Sequence, residues 1–192
     1  MLAAMASLPE YYLTPEEYLA RERKAGSKSE YIDGVMYAMS GATSEPHNVI
    51  AGNLIGELYI QLRSADCRVY PSDMKVRVPD STRFFYPDVS VVCGKPKFAD
   101  DRKDVILNPV LIVEVLSDST AAIDRGKKFQ AYQEIESLAE YVLVSQDEHL
   151  VEHFVRQSAS WLYTKDRPAE ASLNLPSLNI SIKLEDIYRY AL

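Results

Sequence analysis

The run Leu111-Ile112-Val113-Glu114-Val115-Leu116 constrains this chain more than any other stretch. Apolar residues stand at both parities, so the segment reads as a strand covered on both faces, the pattern of a central strand in a layered α/β protein. Glu114 sits in the middle of it. A buried carboxylate without a partner is costly enough that it normally keeps its proton, or else meets a cation or a metal. Some other part of the chain has to bring a partner to this strand.

The flanking segments say which elements are available. LTPEEYLARER predicts a helix from the N-cap Thr14, with Pro15 at the first position and Glu17 three residues after the cap, running to about Lys24 before Gly26. SEYIDGVMYAMSG predicts a hairpin turning at Asp33-Gly34. A second helix follows from Ser44, with Ile50, Leu54, Leu58 and Leu62 on one face. Strands are expected in CRVYPSDMKVRVP, FFYPDVSVVC and PVLIVEVLS, with the charged stretch GKPKFADDRKDVILN as a loop. AAIDRGKKFQAYQEI predicts a third helix, EYVLVS a buried strand, HLVEHFVRQ and SWLYTKD an outer hairpin, and the tail an alternating LNISI followed by a short helix from Leu184. The order implies an α/β fold, a mixed β-sheet flanked by α-helices with an added hairpin, and 192 residues suit one domain over 1–192.

Composition removes several function classes. With 47% hydrophobic and 26% charged residues the chain is an ordinary globular one. No apolar run approaches the roughly 20 residues of a membrane helix, and MLAAMASLPEYY lacks the pattern of a secretory leader. The expectation is a cytoplasmic protein with no membrane partner. Cys67 and Cys93 have no C-x-x-C spacing and are expected as free thiols. A net charge of −7 weighs against a protein that coats nucleic acid, yet allows a local basic groove. Lys75 with Arg77, the group Lys95, Lys97, Arg102 and Lys103, and the group Arg125, Lys127 and Lys128 are the small clusters available for it.

Asp88 opens the apolar strand PDVSVVC, and on a neighbouring strand its carboxylate could converge with that of Glu114. Two acids sharing a site repel unless a cation lies between them, and hard cations such as Mg²⁺ prefer oxygen ligands. On a helical wheel Lys128 falls with Ala131, Tyr132 and Ile135 on the inward stripe, while Lys127 falls with Gln130 and Glu134 toward solvent. An inward lysine beside two carboxylates could hold an attacking water or stabilise charge developing on a phosphoryl oxygen.

At these residues the chain resembles the Uma-type endonuclease family, once a domain of unknown function, within the PD-(D/E)-x-K nuclease superfamily. The segments that carry the resemblance are LTPEEYLA, YIDGVMYAMSG, the His47 that opens the second helix, YPDVSVVC, PVLIVEVLSDST, DRGKKFQAYQEI with EYVLV, and the ending LPSLNISIKLEDIY. The resemblance implies a restriction-endonuclease-like fold and Mg²⁺-dependent hydrolysis of DNA phosphodiesters, with Mn²⁺ as a substitute ion. It maps the metal ligands onto Asp88 and Glu114. The superfamily's lysine stands two residues after the glutamate, where this chain has Leu116; Lys128, in the family's D-x-x-x-K pattern, takes its place. Asp124, Ser117 and Tyr132 are implied as supporting residues, and a homodimer is expected because cutting two strands takes two sites.

Blander readings stand beside these. Asp88 could cap a strand, and Lys128 could pair with Asp124 one turn back. Glu30 is either a further carboxylate of the site or an exposed hairpin residue, His47 either reaches a phosphate or packs, and Asp73 is a weak candidate. His149 and His153, four apart, have a spacing that suits a metal but are expected on a solvated hairpin. Two function classes remain open from sequence: a metal-dependent DNA endonuclease, and a catalytically inactive nuclease-fold protein acting as a binding or regulatory module.

Overall fold

The computed structural model describes residues 12–39, 44–79, 81–118, 120–166 and 171–192; the N-terminal stretch read above for a leader lies outside them. Helix α1 (Pro15–Glu22) is closed by a reciprocal capping box: the Thr14 hydroxyl accepts from the Glu17 N–H, and the Glu17 carboxylate accepts from the Thr14 N–H. Strands β1 (Ser29–Ile32) and β2 (Val35–Ala38) form the expected hairpin, with Asp33 at φ 48° and Gly34 at φ 97°. Gly34 is required twice, because the Tyr12 ring also occupies the place a Cβ would take. Helix α2 (Glu45–Leu62) starts from the N-cap Ser44 and buries Ile50, Leu54, Leu58 and Leu62 as the four-residue repeat predicts.

Two of the expected strands are each broken in half, and the breaks place the site. CRVYPSDMKVRVP turns at residues 71–74, giving β3 (Cys67–Pro71) and β4 (Lys75–Arg77). FFYPDVSVVC divides at Pro87, which has no N–H to continue a ladder, into β5 (Arg83–Phe85) and β6 (Val89–Cys93). In both cases the halves lie in different sheets. The expected loop over residues 94–108 contains a short strand, β7 (Val105–Ile106), paired in parallel with β4. The remaining elements are β8 (Leu111–Leu116), α3 (Ala121–Ile123), a π-helical turn (Asp124–Lys128), α4 (Phe129–Tyr132), β9 (Glu140–Ser145), β10 (Val151–Gln157), β11 (Ser160–Asp166), β12 (Ser172–Leu175), β13 (Ile180–Lys183) and α5 (Leu184–Ile187).

The strands form a six-stranded sheet in the order β11-β10-β9-β8-β6-β3, a five-stranded sheet β2-β1-β5-β4-β7, and the pair β12-β13. β8 runs parallel to β9 and antiparallel to β6, so the larger sheet is mixed. All six residues of β8 are buried. One of its faces, with Val113 and Val115, packs in a core with α2 and α5; the other, with Ile112 and Leu116, packs with Phe85, Ala131 and Tyr132. A third cluster joins Tyr18 of α1 to Tyr31 and Phe84 of the smaller sheet. The loop before β7 is tied to α1 by Arg23, which bonds Asp100 and Asp104. The Arg23 hydrogen bonds, aided by Lys75, hold the Asp104 carboxyl down at about 2. Among the described residues no helix is long and apolar enough to cross a membrane.

Two expectations are overturned. Cys67 and Cys93 are bonded to each other, because β3 and β6 are antiparallel neighbours whose register sets these two residues opposite one another. His149 and His153 are not on a solvated hairpin. β11 covers β10 from outside, so β10 is an inner strand; His153 is buried 2.5 Å from the fully buried Glu140, and the His149 ring packs edge-on against Tyr188. Only short-range spacing is visible in sequence, and it reveals neither contact.

The disulfide closes a loop across a sequence separation of 26 residues, for which the chain-entropy model gives about 3 kcal/mol of stabilisation. Replacing both cysteines by serine should lower the unfolding free energy by about 2–4 kcal/mol in denaturant titration, and reduction of the parent protein should reproduce the loss. Equal midpoints with and without reductant would show that the bond contributes nothing.

Candidate active site

The partner that Glu114 requires is Lys128. Its Nζ lies 3.3 Å from Glu114 Oε1, 2.8 Å from Glu30 Oε1 and 3.1 Å from Asp124 Oδ1, and lysine and all three acids are nearly out of solvent contact. The four residues come from separate places. Glu114 is on β8 of the larger sheet, Glu30 on β1 of the smaller one, and Asp124 and Lys128 on the π-helical turn. A π turn is a single widened turn, common at functional sites. Here Asp124 and Lys128 face inward while Lys127 is exposed, as the wheel predicts. The Tyr132 hydroxyl, one turn on, donates to Glu114 Oε1 at 3.1 Å. Its ring is wedged between Phe85 and Tyr141.

Asp88 completes the cluster from the crossover at Pro87. Asp88 immediately precedes β6, whose first residue Val89 pairs with Val113 of β8, and its carboxylate is among those that raise Glu114. Asp88 Oδ2 accepts the Val115 N–H at 2.7 Å, so the strand-capping reading is correct as far as it goes. His47 Nε2 lies 3.4 Å from the same oxygen, and the His47 Nδ1 is buried without a hydrogen-bond partner. Of the other candidates, the Ser117 hydroxyl is engaged with Thr120 at the start of α3. Asp73 is exposed and pairs with Lys28 outside the cluster.

The electrostatics follow from four acids around one lysine. Burial pushes the Glu114 carboxyl well above the ordinary range; Lys128 opposes this, and Asp124, Asp88 and Glu30 reinforce it. Burial alone would lower Lys128, but Glu114, Glu30 and Asp124 outweigh it, and its pKa rises well above the ordinary lysine range. Lys128 is therefore a fixed cation and hydrogen-bond donor near neutral pH and is not a base. Burial also acts to lower His47, and the Asp88 carboxylate outweighs it, so the imidazole is raised.

Among the described residues no three His, Cys, Asp or Glu side chains are grouped to cage an ion. Mg²⁺, however, is commonly held by one or two carboxylates together with water and substrate phosphate oxygens. Asp88 and Glu114, whose carboxylates act on one another electrostatically, supply those two. The donor set fits a hard divalent cation.

Beside Asp88 and His47 a cavity of about 580 Å³ opens, with Lys28, Asn48, Gly52 and Ser72 among its lining residues. None of these four stood out in the sequence. Gly52 and Asn48 lie on the less apolar side of α2, and Lys28 and Ser72 occupy turns remote from one another in the chain.

The cluster makes opposite demands on its acid and its base. Lys128→Met would leave three carboxylates buried without a counter-charge and should cost about 3–5 kcal/mol. Glu114→Gln should cost much less, since an amide oxygen still accepts from Tyr132 and Lys128 and one mutually repelling acid is gone. Because the folded-state pKa of Glu114 is raised, its ionisation removes stability as pH rises above the ordinary glutamate value of about 4.3. Glu114→Gln should abolish that decline. Lys128 contributes stability below the ordinary lysine range that disappears as pH rises through its raised value. Denaturant titrations across pH check all three expectations, and a Lys128→Met protein as stable as its parent would sink this account.

The family model Uma2, described as "Putative restriction endonuclease", matches residues 15–185. The uncharacterized protein sll1609 of Synechocystis sp. is 37% identical over 169 residues, covering 88% of this chain and 95% of its own. The uncharacterized protein slr1290 of the same organism is 38% identical over 192 residues, covering 98% of each chain. The crystal structure of "a putative nuclease belonging to DUF820" from Anabaena variabilis superposes with a TM-score of 0.74 at 17% identity, over 94% of this chain and 99% of that one. The shared architecture is that of a nuclease fold, and the match over nearly the whole described length means that the chain belongs to the Uma2 family.

Proposed function

We propose that this protein is a Mg²⁺-dependent DNA endonuclease, with Mn²⁺ able to replace Mg²⁺, and that it acts in the cytoplasm. The observation that carries the reading is the approach of Asp88, just before β6, to β8, where its carboxylate takes the Val115 N–H next to Glu114, with the buried Lys128 on Glu114 itself. Family membership and the fold neighbour support a nuclease, and the acids, ion and polynucleotide are the finer reading added here.

Asp88 and Glu114 would hold the cation, which when bound supplies Lewis-acid stabilisation of charge developing on phosphoryl oxygens. Asp88 is oriented for this by the Val115 N–H and by His47, and Glu114 by Tyr132 and Lys128. His47 and Tyr132 are positioning residues, acting through the acids they contact. Lys128, held as a cation by Glu30 and Asp124, donates to Glu114 and presents positive charge to the reacting phosphate. It does not take a proton from water. Leu116, at the usual lysine position, packs in the core, so Lys128 is the nearby buried cation able to do this work. Each chain carries one such site, and a homodimer would present two to a duplex.

Purified protein should nick plasmid DNA in Mg²⁺ or Mn²⁺ at low salt, and chelation should stop it. Asp88→Ala and Glu114→Gln should lower the rate by at least about 10²-fold, the scale of losing one preorganised electrostatic group. Lys127→Met should retain the parent's rate. Equal nicking by the parent and Asp88→Ala would mean a contaminant, and a parent protein inactive on every DNA with either ion would favour a binding or regulatory module.

A further inference from the structure

The cavity beside the acids has a wall that the phosphodiester chemistry does not use. Its lining includes Asp88 and His47 together with Asn48, Gly52 and Ile55 of α2. Met39 and Pro71 add apolar surface. Lys28, also in the lining, is held by the Ser72 carbonyl at 2.9 Å and by Asp73 at 2.7 Å. A Cβ built on Gly52 meets nothing within 4 Å, so that stretch of helix leaves open space above its backbone.

We propose that this cavity receives one unpaired nucleotide of a DNA strand whose adjoining phosphate lies at Asp88 and Glu114. The proposal rests on the nuclease reading above and names the kind of DNA it prefers: a bulge, flap or single-stranded segment in place of an uninterrupted duplex. Three observations carry it. The volume of about 580 Å³ lies within the roughly 300–1,000 Å³ of pockets that enclose small organic ligands, and a base with its sugar is of that class. Asp88 of the acid cluster lines the cavity, and a base inside a duplex cannot enter such a pocket unless it leaves the stack. Met39, Ile55 and Pro71 give its walls apolar surface for the faces of a base.

Charge argues the same way. A protein that grips a long duplex neutralises many phosphates with Lys and Arg, and this chain carries a net charge of −7. Cations around the site are already paired: Lys28 with Asp73, Lys75 with Asp104, Arg125 with Glu152 and Lys128 with its three acids.

The test uses the full chain, Ca²⁺ as a cation for the acids, and two otherwise identical duplexes that carry 2-aminopurine either paired or as a single-nucleotide bulge. The parent protein should bind the bulged duplex about tenfold or more tightly than the paired one, and only the bulged probe should change emission on binding. Gly52→Phe, placed where the helix faces open space, should fill the cavity and remove both the preference and the emission change. Gly52→Ala, which adds one methyl group, should keep them, and circular dichroism should show both variants folded. Equal affinity for the two duplexes, or a Gly52→Phe protein that keeps the preference, would overturn the proposal. The two readings fail separately. Preference for the bulge without cleavage of the bulged duplex or of plasmid in Mg²⁺ would sink hydrolysis and leave the nucleotide pocket standing, whereas cleavage without preference would do the reverse.

Discussion

A single buried ammonium group organises this protein's centre. Lys128 reaches Glu114 on the larger sheet, Glu30 on the smaller sheet and Asp124 on its own helical turn, so one cation ties together the three parts that meet there. Buried ion pairs are poor sources of net stability, since desolvation offsets much of the attraction. What the arrangement supplies is constraint, because each acid that is out of water has to stay where the lysine can reach it. The π-helical turn serves the same end. It leaves Lys127 in solvent, and the Asp124 carbonyl accepts from the Tyr141 hydroxyl, which anchors the turn to β9.

An excess of acid over base gives the centre its chemistry. With Asp88, four carboxylates share the neighbourhood of one lysine, and the pKa of Glu114 rises accordingly. A site in that state favours the arrival of positive charge, and Asp88, just before β6, brings its carboxylate to β8 at the Val115 N–H next to Glu114. The same electrostatics oppose a polyanion. An acidic chain whose local cations are mostly paired offers no basic track, and the cavity beside Asp88 and His47 is therefore the place proposed above for a nucleotide.

Much of this was legible in sequence because it depends on short-range rules. The capping box at Thr14, the Asp33-Gly34 turn, the four-residue repeat of α2 and the double-faced strand around Glu114 each follow from local sterics and hydrophobic periodicity. The need for a partner at Glu114 followed from the cost of burying a charge, and helical geometry pointed to Lys128 over Lys127. The family resemblance reached the same residues by another route.

Tertiary structure decided what local rules cannot express. That Lys128 reaches Glu114 depended on how far a helical turn lies from a strand, and Glu30 joined the cluster only because the smaller sheet packs over the larger. The pairing of Cys67 with Cys93 required the register of β3 against β6, and the burial of His153 required β11 outside β10. The cavity is built from residues of α2 and two distant turns that no spacing connects. Residue type and periodicity dictate which side chains must be buried and which of those need partners. Only the packing of elements far apart in the chain determines the partner, because the distances that settle electrostatics and bonding are set between elements and not along them.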